Sequence, residues 1–525
     1  MLGFIRDLLV AFLLGSSIFA DAFFVAFRIP NLLRSFLAEG ALTAAFTPVF
    51  ASSCTKGQEA AQQTFRNIAG LLLALTLPIV VALIFFAPQI VRVFAPGFTS
   101  DASTYELCVT LTRMMAPYIL FVSFIAMINS ALNTLGVFGT SALAQVIMNS
   151  VLIIGGLCAL LVENNQTITY ILAISVIVGG AAQILSQLPA CRRNGLSIAP
   201  KFIGGKKVQG EVLGLMLPAI LGASVYQITI FFGTLLASLL PSGSVSWLFY
   251  ADRIAQFPMG IFSIALASVL LPTLANAAAS SDQDSFNLNL RNSLRYTSFC
   301  IIPVSVLIVY FAYPIVELLF ERGEFTQYAS IQTARALQAL GIGLWAASCH
   351  SMIVRAFIAK KNTVIPTCIG VCTLAVTILV ALLLVGPLPM DPSSNLLVTG
   401  LSRLQTVLYE IVPISYSLGH IGLAMASSIA AFFSMSLAVL ILSAFFQKFS
   451  WLPVLRATAT SLASALGAVL ILSQLPLATH IPIIQLIVGG IVGLVSYLGF
   501  ACLLRSREAR ELQGAIFTQL RKIQR

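Results

Sequence analysis

The residues equipped for chemistry are charges set inside apolar runs. Residues 21–52, DAFFVAFRIPNLLRSFLAEGALTAAFTPVFAS, form a run long enough to cross a bilayer, yet they carry Asp21, Arg28, Arg34 and Glu39. A charge at the middle of a spanning helix costs about 2.5–3.5 kcal/mol on insertion scales, so it is kept where it faces a wet cavity or a partner. Arg6 and Asp7 repeat the pattern in the first apolar run, and Asp252 and Arg253 repeat it in SWLFYADRIAQFP. Arginines and carboxylates balance in number, but their positions differ. Asp21 begins its run at the outer end and Glu39 is placed on the packing side. Asp7 and Asp252 each adjoin an arginine and so point about 100° away on a helix. The expectation is a cavity with an arginine-dominated wall. Guanidinium forks match phosphate oxygens bidentately and stay charged at any depth, so the wall predicts an anionic, phosphate-bearing ligand. Ion-paired packing or a snorkelling arginine explains any one of these residues taken alone.

Other chemistry lacks its residues. The chain has no GxxxxGK[ST] loop, HExxH motif or paired metal carboxylates, so ATP hydrolysis and metal catalysis have no visible basis, and no cofactor is expected. The run 212–240 has only Glu211 at its edge and 363–386 has no carboxylate, so a cation site built from buried carboxylates is not visible there. His350, His420 and His480 stand far apart in no motif. The nine cysteines are odd in number and scattered through apolar runs, which argues against a disulfide framework. Cys368 and Cys372 share a helix face but have no His or carboxylate nearby to complete a metal site.

The elements that hold these charges follow from composition. A chain of 525 residues that is 58% hydrophobic and 9% charged, with mean hydropathy +0.98, is a polytopic membrane protein, since soluble domains carry about 25% charged residues. No stretch shows the ten-residue alternation of a barrel strand, so the class is all-α. Apolar runs predict about 14 transmembrane helices, at 1–15, 22–52, 66–94, 104–133, 138–162, 167–190, 212–240, 244–276, 290–314, 329–359, 363–386, 418–446, 452–475 and 481–504. Pro30, Pro78, Pro117, Pro218, Pro258 and Pro303 fall inside them and should kink or open the helices.

With a cytoplasmic N-terminus, the inner loops and the tail collect most of the 29 Lys and Arg residues, whereas the outer loops hold only Arg322 and Arg403. The net charge of +11 is mostly this bias and predicts no nucleic-acid partner.

The chain also repeats itself. At a shift of 225, Arg66, Asn67, Pro78, Val81, Phe86, Ala87, Ile90 and Val91 meet Arg291, Asn292, Pro303, Val306, Phe311, Ala312, Ile315 and Val316. Ala26, Arg28 and Ile29 likewise meet Ala251, Arg253 and Ile254. Aligned prolines and an Arg-Asn pair do not come from hydrophobic composition, so the chain is read as a duplication. Each repeat holds six helices, and an even number relates the two lobes by a pseudo-twofold along the membrane normal.

The expected organisation is a six-helix lobe over 1–190, a basic cytoplasmic linker over 191–211 and a second six-helix lobe over 212–446 containing an outer loop at 387–417. Two additional helices follow over 452–504, then a basic amphipathic tail over 505–525. Within the outer loop, Leu397, Leu401, Leu404, Leu408 and Ile411 fall at helical spacing. In the tail, Leu512, Ile516, Leu520 and Ile523 do the same among basic residues, as in an interfacial helix.

The runs LGFIRDLLVAFLLG, DAFFVAFRIPNLLRSFLAEGALTAAFTPVF and SGSVSWLFYADRIAQFP resemble the MurJ/MviN family of bacterial lipid II flippases, within the multidrug, oligosaccharidyl-lipid and polysaccharide exporter superfamily. The resemblance covers essentially the whole chain. It implies a fourteen-helix inner-membrane flippase with both termini cytoplasmic, which carries the undecaprenyl-diphosphate-linked peptidoglycan precursor outward by alternating access. It also implies a lipid-tail groove in the last two helices, membrane lipids as surroundings and the cell-wall synthesis machinery as partner. By motif position the family's functional arginines fall on Arg6, Arg34 and Arg253, and its functional acidic residue falls on Asp21; Arg28, Asp252 and Gln256 complete the candidate substrate site. Two departures stand out: Ser35 follows Arg34 where relatives often carry a second arginine, and Gln256 stands where many carry glutamate. Two rival functions fit less well. A drug-exporting antiporter of the same superfamily needs an acidic, aromatic site for cations. A membrane transferase acting on polyprenyl phosphates needs clustered catalytic carboxylates, and Glu317, Glu321 and Glu324 read as solvated surface at a helix end.

One expectation concerns the start. Residues 1–14 rise only about 20 Å as a helix, short of a hydrocarbon core of about 30 Å, while the resemblance places Arg6 in the substrate cavity. Both are met if some 15–20 residues ending in a Ser-Arg-like pair precede Met1 in the natural product, which would supply the missing length at about 1.5 Å per residue. Intact-mass measurement of the protein expressed from its own promoter should then show a heavier chain, and a mass beginning at Met1 overturns the idea.

Overall fold

The computed structural model describes residues 2–34, 42–202, 205–388, 395–413, 417–445, 449–475 and 481–514. Contacts divide the chain into two compact units. One comprises residues 1–246 with 322–326 and 388–406, and the other comprises 247–321, 327–387 and 407–525.

The first unit contains α1 (Leu2–Leu14), α2 (Ile18–Arg34), α3 (Thr43–Cys54), α4 (Gln58–Phe85), α5 (Ala87–Phe94), α6 (Ala102–Met115), α7 (Tyr118–Thr134), α8 (Gly139–Ala159), α9 (Asn165–Arg193) and α10 (Lys206–Ser238). Helix α11 (Ser244–Pro258) begins in this unit and continues into the second at Trp247. The second unit adds α12 (Ile264–Ala279), α13 (Gln283–Tyr310), α14 (Ala312–Phe320), α15 (Gln327–Ala359) and α16 (Val364–Leu384). Helix α17 (Leu396–Ile411) occupies the expected outer loop, followed by α18 (His420–Phe445), α19 (Leu452–Gln474) and α20 (Pro482–Leu503).

Every described element is helical, as required where backbone polar groups must be satisfied without water. Ten helices or helix pairs among the described residues are long and apolar enough to span, and the bent pair Ser244–Ser263 with Ala265–Ala279 makes an eleventh. The other expected spans, 1–15, 22–52 and 212–240, coincide with α1, with α2 and α3, and with α10. The run 22–52 is not one described helix: α2 ends at Arg34 and α3 starts at Thr43, while Ser35 and Glu39 lie outside the described residues.

The duplication is written into the helix boundaries. Helices α4 and α13 are both 28 residues long and break at Phe86 and Phe311, the matched pair, with φ/ψ of −93/13° and −98/19°. Helix α8 and α16 are both 21 residues long and also start 225 apart. The repeats part company at one proline. Pro117, which has no N–H to donate, separates α6 from α7, whereas Ile342 stands at the matched place and α15 runs unbroken for 33 residues. Pro258 similarly ends α11, and a π-helical turn at Met259–Ser263 leads into α12.

Packing depends on aromatic clusters and small residues. In the first unit Phe46, Phe50 and Phe65 stack within a buried core from α3, α4 and α7. Helix α10 belongs here too: Gln209 Nε2 donates to Asn67 O at 3.1 Å and Gly97 N donates to Ser238 Oγ at 3.3 Å. In the second unit α15 and α18 touch at Gly343, where an added Cβ would lie 2.7 Å from Ser428 Cα. The Ser428 hydroxyl donates to Ala339 O at 2.6 Å across that contact. Such close approach by small residues is how helices associate when lipid tails remove the hydrophobic drive.

The tail begins as protein-held structure. A helix at 507–514 places Glu508, 3% exposed, against Arg295 of α13, 6% exposed, with Nη2···Oε1 at 2.5 Å and Nε···Oε1 at 2.8 Å. Ser506 Oγ donates to the other Glu508 oxygen at 2.8 Å. Beside it, the Tyr296 hydroxyl and Arg507 donate to Glu511 and hold its carboxyl below the usual range, the tyrosine contributing most. Leu512 is exposed, whereas Ile516, Leu520 and Ile523 of the expected interfacial face lie outside the described residues. Glu508→Gln leaves Arg295 as a buried charge without its counter-ion, at a cost of about 3–5 kcal/mol. The expected outcome is a lower Tm in detergent and rapid tryptic cleavage at Arg505, Arg507 and Arg510; wild-type cleavage rates would show that the pair does not hold the tail.

Candidate functional site

Helices α1 and α2 carry the charges of the first unit, and the fold treats each differently. Arg6 and Asp7 are neighbours on α1, so spacing alone turns their side chains apart. The structure brings them together: Arg6 Nη2 lies 2.7 Å from Asp7 Oδ1 and Nε donates to the same oxygen at 2.9 Å. The long arginine stem spans the angle, and the arginine-dominated wall is weaker than expected at this point. Arg6 Nη1 also donates to Asn149 Oδ1 on α8 at 3.2 Å.

Asp21 and Arg28 are seven residues apart and share one face of α2. The Asp21 carboxylate is 3% exposed and accepts from Gly243 N at 2.6 Å, Ser246 N at 2.8 Å and Ser246 Oγ at 2.5 Å. It therefore caps the N-terminus of α11, where otherwise unmatched N–H groups and the helix dipole favour an anion. Gly243 turns into that helix at φ +93°, a conformation open to glycine. Arg28 Nη1 donates to Thr234 Oγ1 on α10 at 2.6 Å. Both residues tie α2 to neighbouring helices.

Arg34 closes α2 on a different face. It lines a cavity of about 190 Å³ with Asn129, Ser130 and Asn133 of α7, Gln145 of α8 and Gln183 of α9. Val122, Ile125 and Ala126 supply the apolar part of the wall. Gln145 lies one helical turn from Asn149, the partner of Arg6, and Asn149 Nδ2 donates to Gln145 O at 2.9 Å. Arg6 and Arg34 thus sit along the same stretch of α8.

In the second unit α11 carries Asp252, Arg253 and Gln256. The Arg253 guanidinium lies 4.9 Å from the centroid of the Phe249 ring, one turn earlier, a cation–π contact that orients the charge. Asp252 and Gln256 are exposed, and Gln256 Nε2 donates to Asp252 Oδ2. The amide at 256, where many relatives carry a carboxylate, is thus the donor that this neighbouring Asp252 uses. Among the described residues no group of three His, Cys, Asp or Glu side chains could hold a metal.

Reading charges alone misses the carboxamides. Asn129 and Asn133 on α7, and Gln145 and Asn149 on α8, recur four residues apart inside otherwise apolar runs, a spacing that puts each pair on one helix face. Amides set inside apolar, membrane-length runs are costly to desolvate for the same reason as charges, and that spacing is the signal in the sequence.

Comparison with known proteins agrees with this architecture. The family model described as Lipid II flippase MurJ matches residues 10–489. The Lipid II flippase MurJ of Burkholderia cenocepacia is 35% identical over 383 residues, covering 71% of this chain and 73% of that protein. The probable lipid II flippase MurJ of Vibrio cholerae is 32% identical over 448 residues, covering 83% and 79%. A solved lipid II flippase MurJ in an inward closed conformation superposes with a TM-score of 0.76 at 26% identity over 96% of both chains. An inward-facing multidrug transporter of the MATE family shares the fold, with a TM-score of 0.64 at 16% identity over 86% of this chain and 96% of its own. With its family model matched over residues 10–489, the chain belongs to the MurJ family of lipid II flippases.

Proposed function

We propose that this protein flips the undecaprenyl-diphosphate-linked peptidoglycan precursor, lipid II, from the cytoplasmic to the outer leaflet of the bacterial inner membrane, and that it is a transporter without catalytic chemistry. The observation that carries the reading is Arg34, a permanent cation at the end of a membrane helix, lining a polar cavity in a chain whose family match extends over residues 10–489. A diphosphate cannot enter hydrocarbon unaccompanied, because its ionised oxygens lose hydration. Guanidinium groups replace that hydration with charge-assisted hydrogen bonds of about 1.5–3 kcal/mol each. Arg6, Arg34 and Arg253 hold the diphosphate in this reading. Asp21 and Arg28 position the helices that bear them, and Asp252 with Gln256 adjusts the charge around Arg253.

The two repeats act as the lobes that alternate access, and α19 with α20 offers the lipid tail its groove. The excess of Lys and Arg in alternate loops supports cytoplasmic termini. Membrane lipids surround the chain, the cell-wall synthesis machinery is its protein partner, and no nucleic acid is involved. The direct test is depletion of the protein followed by assay of the lipid-linked intermediates. Lipid II should accumulate on the cytoplasmic leaflet, and accumulation of a different species would overturn the assignment.

Arg34→Ala and Arg253→Ala should abolish complementation while the proteins insert at normal levels, and lysine should restore activity only partly because it lacks the planar fork. Full activity of both alanine variants would remove these residues from the site. Asp21→Ala strips the acceptor from Gly243 N and Ser246, costing about 1–3 kcal/mol for buried donors left unmatched. A measurably lower Tm is expected, and an unchanged Tm would show that α11 does not depend on this cap.

A further inference from the structure

The outer loop departs from the repeat. The last two helices of the first repeat, α8 and α9, are joined by residues 160–164, whereas α16 and α18 at the matched place are joined by residues 385–419, and α17 lies in the excess. This helix turns three different faces. At about 100° per residue, Val398, Ser402 and Gln405 share one face, and all three are buried. Leu396, Leu397, Leu404, Val407 and Ile411 fall within about 100° of one another on a second face. All five are exposed, Leu396 at 88% and Ile411 at 71%. Arg403, Thr406 and Glu410 stand on a third face beside the second and are exposed as well. A helix surrounded by water has no reason to sort its exposed residues into an apolar and a polar side, whereas one lying along a membrane surface does.

Both ends of α17 are held where spanning helices end. At its start Asn395 Nδ2 donates to Arg92 O at 3.1 Å, and Arg92 belongs to α5, which follows the spanning helix α4 at the Phe86 break. Along one side α4 exposes Leu77, Val81 and Phe85, so apolar surface runs up to that break. Gln405 Oε1 accepts from Leu388 N at 2.9 Å and turns the buried face of α17 inward. Beyond its last turn the chain returns to the end of α16, where Ser417 Oγ donates to Val385 O and Leu418 N to Leu384 O, both at 3.0 Å. The chain from Ile411 to Ser417 spans at most about 20 Å, so this end of α17 stays near the surface at which α16 ends.

We infer that α17 is an interfacial helix, which seats its apolar face in the outer leaflet at the boundary of headgroups and acyl chains. Arg403, Thr406 and Glu410 remain in water, with Arg403 beside the apolar face at the level of the lipid phosphates. The occupant of that face is lipid, because both ends of the helix are pinned at the ends of spans and its exposed half is itself divided between apolar and polar. With the termini cytoplasmic as proposed, this is the leaflet into which the carrier delivers its cargo. The seat itself does not depend on that reading.

The test adds one tryptophan at a time to the full chain, whose own three tryptophans give a constant background. Leu404→Trp and Val407→Trp report the apolar face and Thr406→Trp the polar one. In nanodiscs that hold a single chain, lipids brominated on their acyl chains should quench the added emission at 404 and 407 but not at 406. Iodide in the water should quench Thr406→Trp several-fold more than Val407→Trp. Should Leu404→Trp fail to assemble, Ile411→Trp at the end of the helix reports the same face. Equal iodide quenching at 404, 406 and 407 overturns the seat, since the helix then stands in water. If neither quencher reaches 404 and 407, the chain itself covers the face, which also overturns it. Shielding from iodide that develops only in densely loaded vesicles makes the occupant a second copy of the chain and overturns it too.

Discussion

A charge inside a bilayer must carry its own solvation, and the arrangement of this protein follows from where each charge finds it. Arg6 finds it in Asp7 and Asn149, Arg28 in Thr234, and Arg295 in Glu508. Asp21 finds it in the N-terminus of α11. Each pairing also joins elements: α1 to α8, α2 to α10, the start of α11 to α2, and the tail to α13. Since leaving one member of such a buried pair alone costs several kcal/mol, the pairings act as fasteners that packing in lipid supplies only weakly.

Arg34 stands where the end of α2 meets a cavity. Among the described residues that cavity is walled by amides and hydroxyls together with Val122, Ile125 and Ala126. A multidrug transporter of the MATE family shares the fold, so the fold alone does not decide which side chains line the cavity.

The duplicated frame shows how little change is needed to give matched segments different helix boundaries. Phe86 and Phe311 break their helices at the same place with nearly the same dihedrals, so the backbone plan of α4–α5 and α13–α14 is one plan. Pro117 against Ile342 is enough to split one span into α6 and α7 and leave its counterpart α15 whole. A missing N–H is a local fact, and its consequence reaches only the turn that contains it.

Class, spans and repeat were legible from the chain alone, because bilayer thickness demands long apolar runs and a proline or a repeated Arg-Asn pair needs no tertiary context to be seen. Even α17 was readable from the spacing of Leu397, Leu401, Leu404 and Leu408. The fates of the charges were not. Spacing turned Asp7 away from Arg6, but a flexible stem closed that gap; Asp21 was marked as important without any sign that Gly243 and Ser246, more than 200 residues later, would enclose it. The amides of α7, α8 and α9 carried a signal in their four-residue spacing, yet which of them would meet Arg34 depended on how three helices pack. Sequence determines what a residue can bond and on which face of its helix it stands. Only the tertiary structure decides which partner reaches that face, since that choice is made by packing between helices distant in the chain.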